Sequence, residues 1–199
     1  MEDGLLAIGG DLSPERLLLA YRSGIFPWFC EDDPPLWWSP DPRFVLFPEE
    51  LKVSKSMRPL LKRQAFDFRI NSDFESVIRA CQQVERRDQH GTWITEEVVA
   101  GYMSLHQRGL AHSAEAWIDD TLVGGLYGVL LGKAFFGESM FSCLSNASKY
   151  AFILWVEELK KRGVVMIDCQ VYTEHLESLG ARMIPRADFL IQLRSALDQ

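Results

Sequence analysis

Two stretches decide how this chain folds: Ala134-Phe-Phe-Gly-Glu-Ser-Met-Phe141 and Val164-Val-Met-Ile-Asp-Cys-Gln-Val171. Both are rich in β-branched and aromatic residues, and the segment between them is apolar almost all round from Tyr150 to Val156, the mark of a buried helix. That helix closes with Lys160-Lys161-Arg162-Gly163, which sets cations on the negative end of its dipole ahead of a glycine stop. Strand, about four turns of helix and strand predict a βαβ crossover whose strand ends face one pocket. The chemistry is expected there.

Side chains alternate across a strand. In the second stretch Val165, Ile167, Cys169 and Val171 therefore share one face, and Met166, Asp168 and Gln170 the other. In the first, Glu138 stands between Phe136 and Met140 on its face. A carboxylate in so apolar a wall needs a partner, because an unpaired buried charge is costly. The residues alone leave two readings open. Either Glu138 receives an amine while Asp168 and Gln170 polarise one, or Glu138 pairs with a structural Lys or Arg and Asp168 caps the helix opening at Thr173. Perturbed carboxylates gather at functional sites, which is the reason to carry the first reading forward.

Upstream, 111–118 and 121–130 flank the turn Asp119-Asp120, and Gly132-Lys133 turns into the first stretch, so an antiparallel three-stranded meander precedes the crossover. Gly124-Gly125 and Gly128 thin its middle strand, as at a bulge or where a ligand approaches backbone. Thr95 caps a helix that ends at Gly109, and Ser72-Asp73-Phe74-Glu75 reads as a capping box for a helix running to Val84. Ser13 and Pro14 open another helix, stopped at Gly24. The Pro- and Trp-rich segment from Ile25 to Arg43 predicts a rigid aromatic loop, because proline fixes φ and lacks the N–H. A short strand at 44–47 and a short helix at 54–62 follow, and a strand and tail helix occupy 182–193. The charged run 85–91 is the expected boundary between a small N-terminal α/β domain, residues 1–87, and a catalytic domain, residues 88–199. The fold class is α+β.

The chain has 199 residues, 47% of them hydrophobic, and can bury a sizeable core. No apolar run reaches membrane-spanning length and Met-Glu-Asp-Gly leads into no basic or apolar leader, so a cytoplasmic protein with no membrane partner is expected. Cys30, Cys81, Cys143 and Cys169 are too scattered for a zinc or redox motif, and the four histidines show no ligand spacing. A net charge of −7 argues against general nucleic-acid binding. It is unevenly spread, however, and one basic stretch, Lys52, Lys55, Arg58, Lys62, Arg63 and Arg69, has the residues to hold phosphates.

Three antiparallel strands, a buried helix and a strand carrying the chemistry follow the order of the acetyltransferase-like (GNAT) fold, with a mixed, mainly antiparallel sheet. Six strings then resemble the leucyl/phenylalanyl-tRNA–protein transferase family across nearly the whole chain: Gly-Gly-Asp-Leu-Ser-Pro (9–14), Gly-Ile-Phe-Pro-Trp-Phe (24–29), Trp-Trp-Ser-Pro-Asp-Pro-Arg (37–43), Gly-Thr-Trp-Ile-Thr (91–95), Gly-Glu-Ser-Met-Phe (137–141) and Ile-Asp-Cys-Gln (167–170). The resemblance implies an aminoacyltransferase, without metal or organic cofactor. It would move leucine, or phenylalanine, from aminoacyl-tRNA to the N-terminal Arg or Lys of a protein, marking it for N-end-rule degradation. It also implies roles: Glu138, Asp168 and Gln170 as the polar centre, with Asp168 polarising Gln170 as the acceptor amine loses its proton. Trp28 and Trp93 would hold the terminal adenosine. Leu126, Phe135, Met140, Phe152, Trp155 and Ile167 would line the leucyl pocket. Strict alternation sets Phe135 and Glu138 on opposite faces, so a bulge at Gly137 is expected.

The chain departs from the family in starting close to Gly-Leu-Leu-Ala, in a longer loop at 82–90 and in a short tail after Phe189. These departures bear on the tRNA footprint. Three rival readings remain. A CoA-dependent N-acetyltransferase would need a glycine-rich pyrophosphate turn, where this chain reads Phe-Ser-Cys-Leu-Ser-Asn-Ala. A non-catalytic module that binds tRNA ends, and a related transferase serving acidic N-termini, are the others.

Overall fold

The computed structural model describes residues 4–84 and 92–198. In chain order the elements are β1 (Leu5–Ile8), α1 (Pro14–Arg22), β2 (Phe26–Pro27), β3 (Leu36–Trp38), β4 (Arg43–Leu46), α2 (Met57–Lys62), β5 (Asp67–Ile70), α3 (Phe74–Gln82), α4 (Glu96–Gln107), β6 (Ala111–Ile118), β7 (Thr121–Leu131), β8 (Ala134–Ser142), α5 (Ala147–Lys161), β9 (Met166–Gln170), α6 (Glu174–Ser178), β10 (Arg182–Ile184) and α7 (Arg186–Leu197). Capping chemistry sets several of the boundaries. Ser13 accepts from the Arg16 N–H with Pro14 behind it, and Thr95 accepts from the Val98 N–H, as the sequence predicts. At α3 the cap is Asp73 rather than Ser72: its carboxylate takes the Ser76 N–H, and the helix ends at Gln82, two residues short of the expectation. Helices α2 and α5 also start two or three residues later than their expected openings at Ser54 and Ser145.

One seven-stranded sheet runs in the order β10-β4-β9-β8-β7-β6-β5. Strands β6, β7 and β8 form the expected meander, and β9 returns parallel to β8 after α5. The sheet is mixed and mainly antiparallel. It draws β4 and β5 from residues before 88, so it continues across the expected domain boundary, while the charged run 85–91 lies outside the described residues. Strand β5 had no counterpart in the sequence reading, because Asp67-Phe-Arg-Ile is too short and mixed to announce itself.

The aromatic segment is not purely loop. Strands β2 and β3 join β1 in a small antiparallel sheet, order β1-β3-β2. Proline is tolerated there because β2 is an edge strand with one side free of ladder bonds.

Two cores flank the large sheet. Leu17, Val77, Tyr102, Phe136, Met166 and Phe189 belong to one, beneath α1, α3, α4 and α7. Met57, Phe135, Phe152, Trp155 and Ile167 belong to the other, beneath α2 and α5. Met166 on one side and Ile167 with Cys169 on the other keep the predicted alternation of β9.

Strand β8 breaks its alternation once. Tyr127 pairs with Ser139 but Gly128 with Gly137, so Glu138 is the extra residue of a bulge, at the place expected. Phe135 and Met140 consequently share the α5 side, and Phe136 and Phe141 the other. Gly128 makes room for this, since a Cβ there would sit 2.2 Å from the Phe136 carbonyl oxygen and 2.5 Å from the Phe135 ring. At Gly124 a Cβ would meet that of Ala147 at 2.6 Å, so this glycine admits the start of α5.

Candidate functional site

Strands β8 and β9 pair only from Ala134 to Phe136 against Met166 to Asp168. Beyond that point the bulge turns β8 aside. Strand β9 ends at Gln170, whose φ of 66° lies in the left-handed region. An opening results between two parallel strands, and Glu138 and Gln170 stand on its two sides. It is a cavity of about 620 Å³. Leu126, Met140, Phe152 and Ile167 form its apolar wall, Trp28 and Trp93 also line it, and Val171, Tyr172 and Leu176 continue the lining past β9.

The polar centre is a connected network. Gln170 Nε2 donates to Glu138 Oε1 at 3.0 Å, and the Tyr102 hydroxyl donates to Glu138 Oε2 at 2.9 Å. Tyr102 in turn bonds the Tyr21 hydroxyl, and both rings are fully buried. Since Tyr102 gives its own proton to Glu138, its oxygen accepts that of Tyr21. Burial pushes the Glu138 carboxyl up to about 7. The tyrosine hydroxyls and the Gln170 amide pull the other way, and the charge of Asp168 adds to the rise. Burial also lifts both tyrosines well above the usual phenol range, which keeps them neutral donors. No Lys or Arg pairs with Glu138 among the described residues; its partners there are Gln170 and Tyr102.

Asp168 stands behind this network and not in the cavity wall. Its carboxylate is fully buried and held by both arms of Arg43, with Nε to Oδ1 at 2.8 Å and Nη2 to Oδ2 at 2.7 Å. The guanidinium lies between the Phe26 and Phe189 rings, 4.7 and 4.6 Å from their centroids. Asp168 Oδ1 also accepts the backbone N–H of Gln170 at 3.0 Å. Of the pair expected to act together, Asp168 thus meets the backbone of Gln170, while the Gln170 side chain is bonded to Glu138. Nor does Asp168 cap α6, where Thr173 serves.

The expected pocket residues separate into two groups. Leu126, Met140, Phe152 and Ile167 reach the cavity; Phe135 and Trp155 do not. Those two pack edge to face at 5.4 Å, fully buried. Phe135 precedes the bulge, where β8 is still joined to β9, and Trp155 lies nearly a turn deeper along α5 than Phe152. The basic residues Lys52, Lys55, Arg58, Lys62 and Arg63 are all exposed, away from the cavity, and none is in an ion pair among the described residues. Arg69 is instead paired with Asp67 and stacked on Trp117. Cys169 reaches the cavity, but burial pushes its thiol up, which holds it neutral. Among the described residues no group of His, Cys, Asp and Glu is arranged to hold a metal, and no helix is long and apolar enough to cross a membrane.

Arg43, Tyr102 and Tyr21 were given no site role by the sequence reading. Arg43 left a usable signal, as a cation closing Trp-Trp-Ser-Pro-Asp-Pro-Arg directly before the apolar strand Phe44–Phe47, where it needs a buried anion. The tyrosines left none, since at helical spacing they read as ordinary core.

Profiles of two families cover the chain: leucyl/phenylalanyl-tRNA protein transferase over residues 45–194, and the N-terminal domain of the same transferase over 10–41. The two matched ranges meet between residues 41 and 45, where β4 begins. A leucyl/phenylalanyl-tRNA–protein transferase of Flavobacterium johnsoniae is 57% identical, spanning 98% of this chain and 92% of its own. That of Christiangramia forsetii is 59% identical over 95% and 90%, and that of Nitrosospira multiformis 56% over 98% and 84%. Among solved structures, a GCN5-related N-acetyltransferase-like protein from Streptococcus suis is 13% identical, with a TM-score of 0.41 over 85% of this chain and 63% of that one.

Proposed function

The chain belongs to the leucyl/phenylalanyl-tRNA protein transferase family, and on that premise we propose how its cavity moves leucine or phenylalanine from aminoacyl-tRNA to a protein N-terminus, and that the favoured terminus is Arg or Lys. One observation carries the choice of acceptor. Glu138 presents a carboxylate to a cavity walled by Leu126, Met140, Phe152 and Ile167, no Lys or Arg pairs with it among the described residues, and a cationic side chain would complete it.

The aminoacyl ester arrives already activated, so the enzyme's work is to hold an amine beside a carbonyl, and orientation alone accelerates such reactions greatly. Trp28 and Trp93 stack on the terminal adenine of the tRNA. Leu126, Met140, Phe152 and Ile167 enclose an unbranched apolar side chain and reject β-branched ones by shape. With Nε2 of Gln170 committed to Glu138, its Oε1 is left to accept an N–H of the attacking amine. The amine nitrogen bonds the ester carbon, the carbon–oxygen bond to the ribose breaks, the amine loses a proton and the ribose oxygen leaves as a hydroxyl. Neutral Gln170 orients the amine and does not act as its base. The exposed cations from Lys52 to Arg63 neutralise tRNA phosphates outside the cavity. The product is a cytoplasmic protein marked for N-end-rule degradation.

Transfer of labelled leucine from Leu-tRNA to an Arg-initiated peptide, set against an Asp-initiated one, tests this reading. Preference for Arg of at least an order of magnitude is expected. Equal transfer to both peptides overturns the role of Glu138. Wild-type protein that binds the tRNA end without any transfer overturns catalysis itself.

A further inference from the structure

The ion pair behind the cavity is a poor source of stability. Removing two charges from water costs several kcal/mol per ion, and a well-packed apolar pair in their place is often no worse. Here Nη1 of Arg43 is also buried without a hydrogen-bond partner among the described residues, a further cost. The surroundings point to a different use. Asp168 grips the backbone N–H of Gln170, the residue held at φ 66°. For a non-glycine residue that conformation is strained and persists only where its surroundings over-determine it. The Val171 N–H closes the turn onto the Cys169 carbonyl at 2.8 Å, and β4 slips register opposite, with Phe44 facing Gln170 and Val45 facing Asp168. Arg43 is therefore tied at once to the end of β9, to Phe189 of α7 and to Phe26, which together with Pro27 and Trp28 lines the cavity.

We propose that Arg43 is a positioning residue for aminoacyl transfer. Its fork fixes Asp168 so that Asp168 holds the Gln170 backbone in its left-handed turn and aims the Gln170 amide between Glu138 and the acceptor amine. This rests on the transfer reading above. In this arrangement Asp168 acts by geometry, and its charge is spent on Arg43 instead of on the Gln170 side chain. The Asp168 carboxylate accepts two guanidinium N–H groups and one backbone N–H, and no hydrogen bond joins it to the Gln170 side chain among the described residues. Bidentate pairing is what a lysine cannot reproduce, because its ammonium is a point charge.

Arg43→Lys keeps the charge and removes the fork, which makes it the informative variant. Steady-state transfer per folded molecule, well below the unfolding temperature, should show kcat reduced by about 10- to 100-fold, as a misplaced group costs in an orientation-limited reaction. KM for Leu-tRNA should stay within about twofold, since no residue assigned to its adenosine or leucyl side chain is changed. The side-chain amide resonances of Gln170 in a 15N–1H spectrum should move, a readout independent of the reaction. Unchanged kcat with unmoved Gln170 resonances overturns the proposal, whatever happens to the unfolding temperature. Should Arg43→Lys fail to fold, Phe189→Leu loosens one side of the guanidinium sandwich without altering any charge, and must lower kcat and shift the same resonances in the same direction. A wild-type protein that transfers no leucine refutes the transfer reading instead, and the resonance comparison still decides whether Arg43 sets Gln170.

Discussion

Loss of the Tyr102 hydroxyl should displace the pH dependence of acceptor use. The Glu138 carboxyl is pushed up to about 7 by burial, and only its anion attracts a cationic acceptor, so kcat/KM for an Arg-initiated peptide should rise with pH through about 7. The Tyr102 hydroxyl, 2.9 Å from Oε2, donates to the anion and opposes the effect of burial. A hydrogen bond to a charged group contributes about 1.5–3 kcal/mol, or about one to two pH units of titration. In Tyr102→Phe the donor is gone while burial remains, so the anion is harder to form and the rise should move to about pH 8–9. Every acceptor must also lose the proton of its own α-ammonium group, which titrates near 7.7–8. The quantity to follow is therefore the ratio of kcat/KM for an Arg-initiated peptide to that for one with a neutral first side chain, in which the amine's titration cancels. At pH 7 this ratio should fall about tenfold in the variant and recover by about pH 9. Phenylalanine fits the same buried volume, so the fold should survive. A ratio whose pH dependence is the same in variant and wild type would refute both the assignment of Glu138 to the acceptor cation and the claim that the tyrosine pair tunes it.

Met140→Ala removes an unbranched side chain from the cavity wall and should lower kcat/KM for leucine transfer by about 10- to 200-fold, measured by single-turnover transfer from Leu-tRNA, with less effect for the bulkier phenylalanine. Replacing Lys55 and Arg58 together by alanine should flatten the slope of log binding constant against log salt by about 1.4–1.8, as two phosphate contacts on single- or double-stranded tRNA would. An unchanged slope in filter binding across a salt series removes this face from the tRNA contact. Transfer at saturating tRNA should be unaffected by the double change, because both side chains are exposed and away from the cavity.

Periodicity carried the fold as far as periodicity reaches. The meander, the buried α5 and the strand bearing Asp168 and Gln170 were legible because each repeats at 2.0 or 3.6 residues over a long enough run. Strand β5 and the pair β2 and β3 were not, since short segments interrupted by charge or bordered by proline offer neither a period nor the apolar run that marked β4. The site divides the same way. Glu138 was found as a charge in an apolar strand, and the bulge beneath it from a conflict between strand alternation and the pocket role that the family resemblance implied for Phe135. What escaped were the partners brought in from elements that the motifs did not mark. Arg43 reaches Asp168 across 125 residues and Tyr102 reaches Glu138 across 36, and neither distance leaves a spacing to read. The missing partners change the chemistry, not just the inventory. A sequence that offers Asp168 and Gln170 two positions apart on one strand face invites a relay between their side chains. The left-handed turn at Gln170 instead presents its backbone N–H to Asp168 and its amide to Glu138, so one carboxylate holds backbone and the other faces the cavity. Strand β9 could not have been straight for this to hold. A regular strand would leave the Gln170 amide directed along its neighbour Asp168, and the cavity would lose the polar edge that faces Glu138.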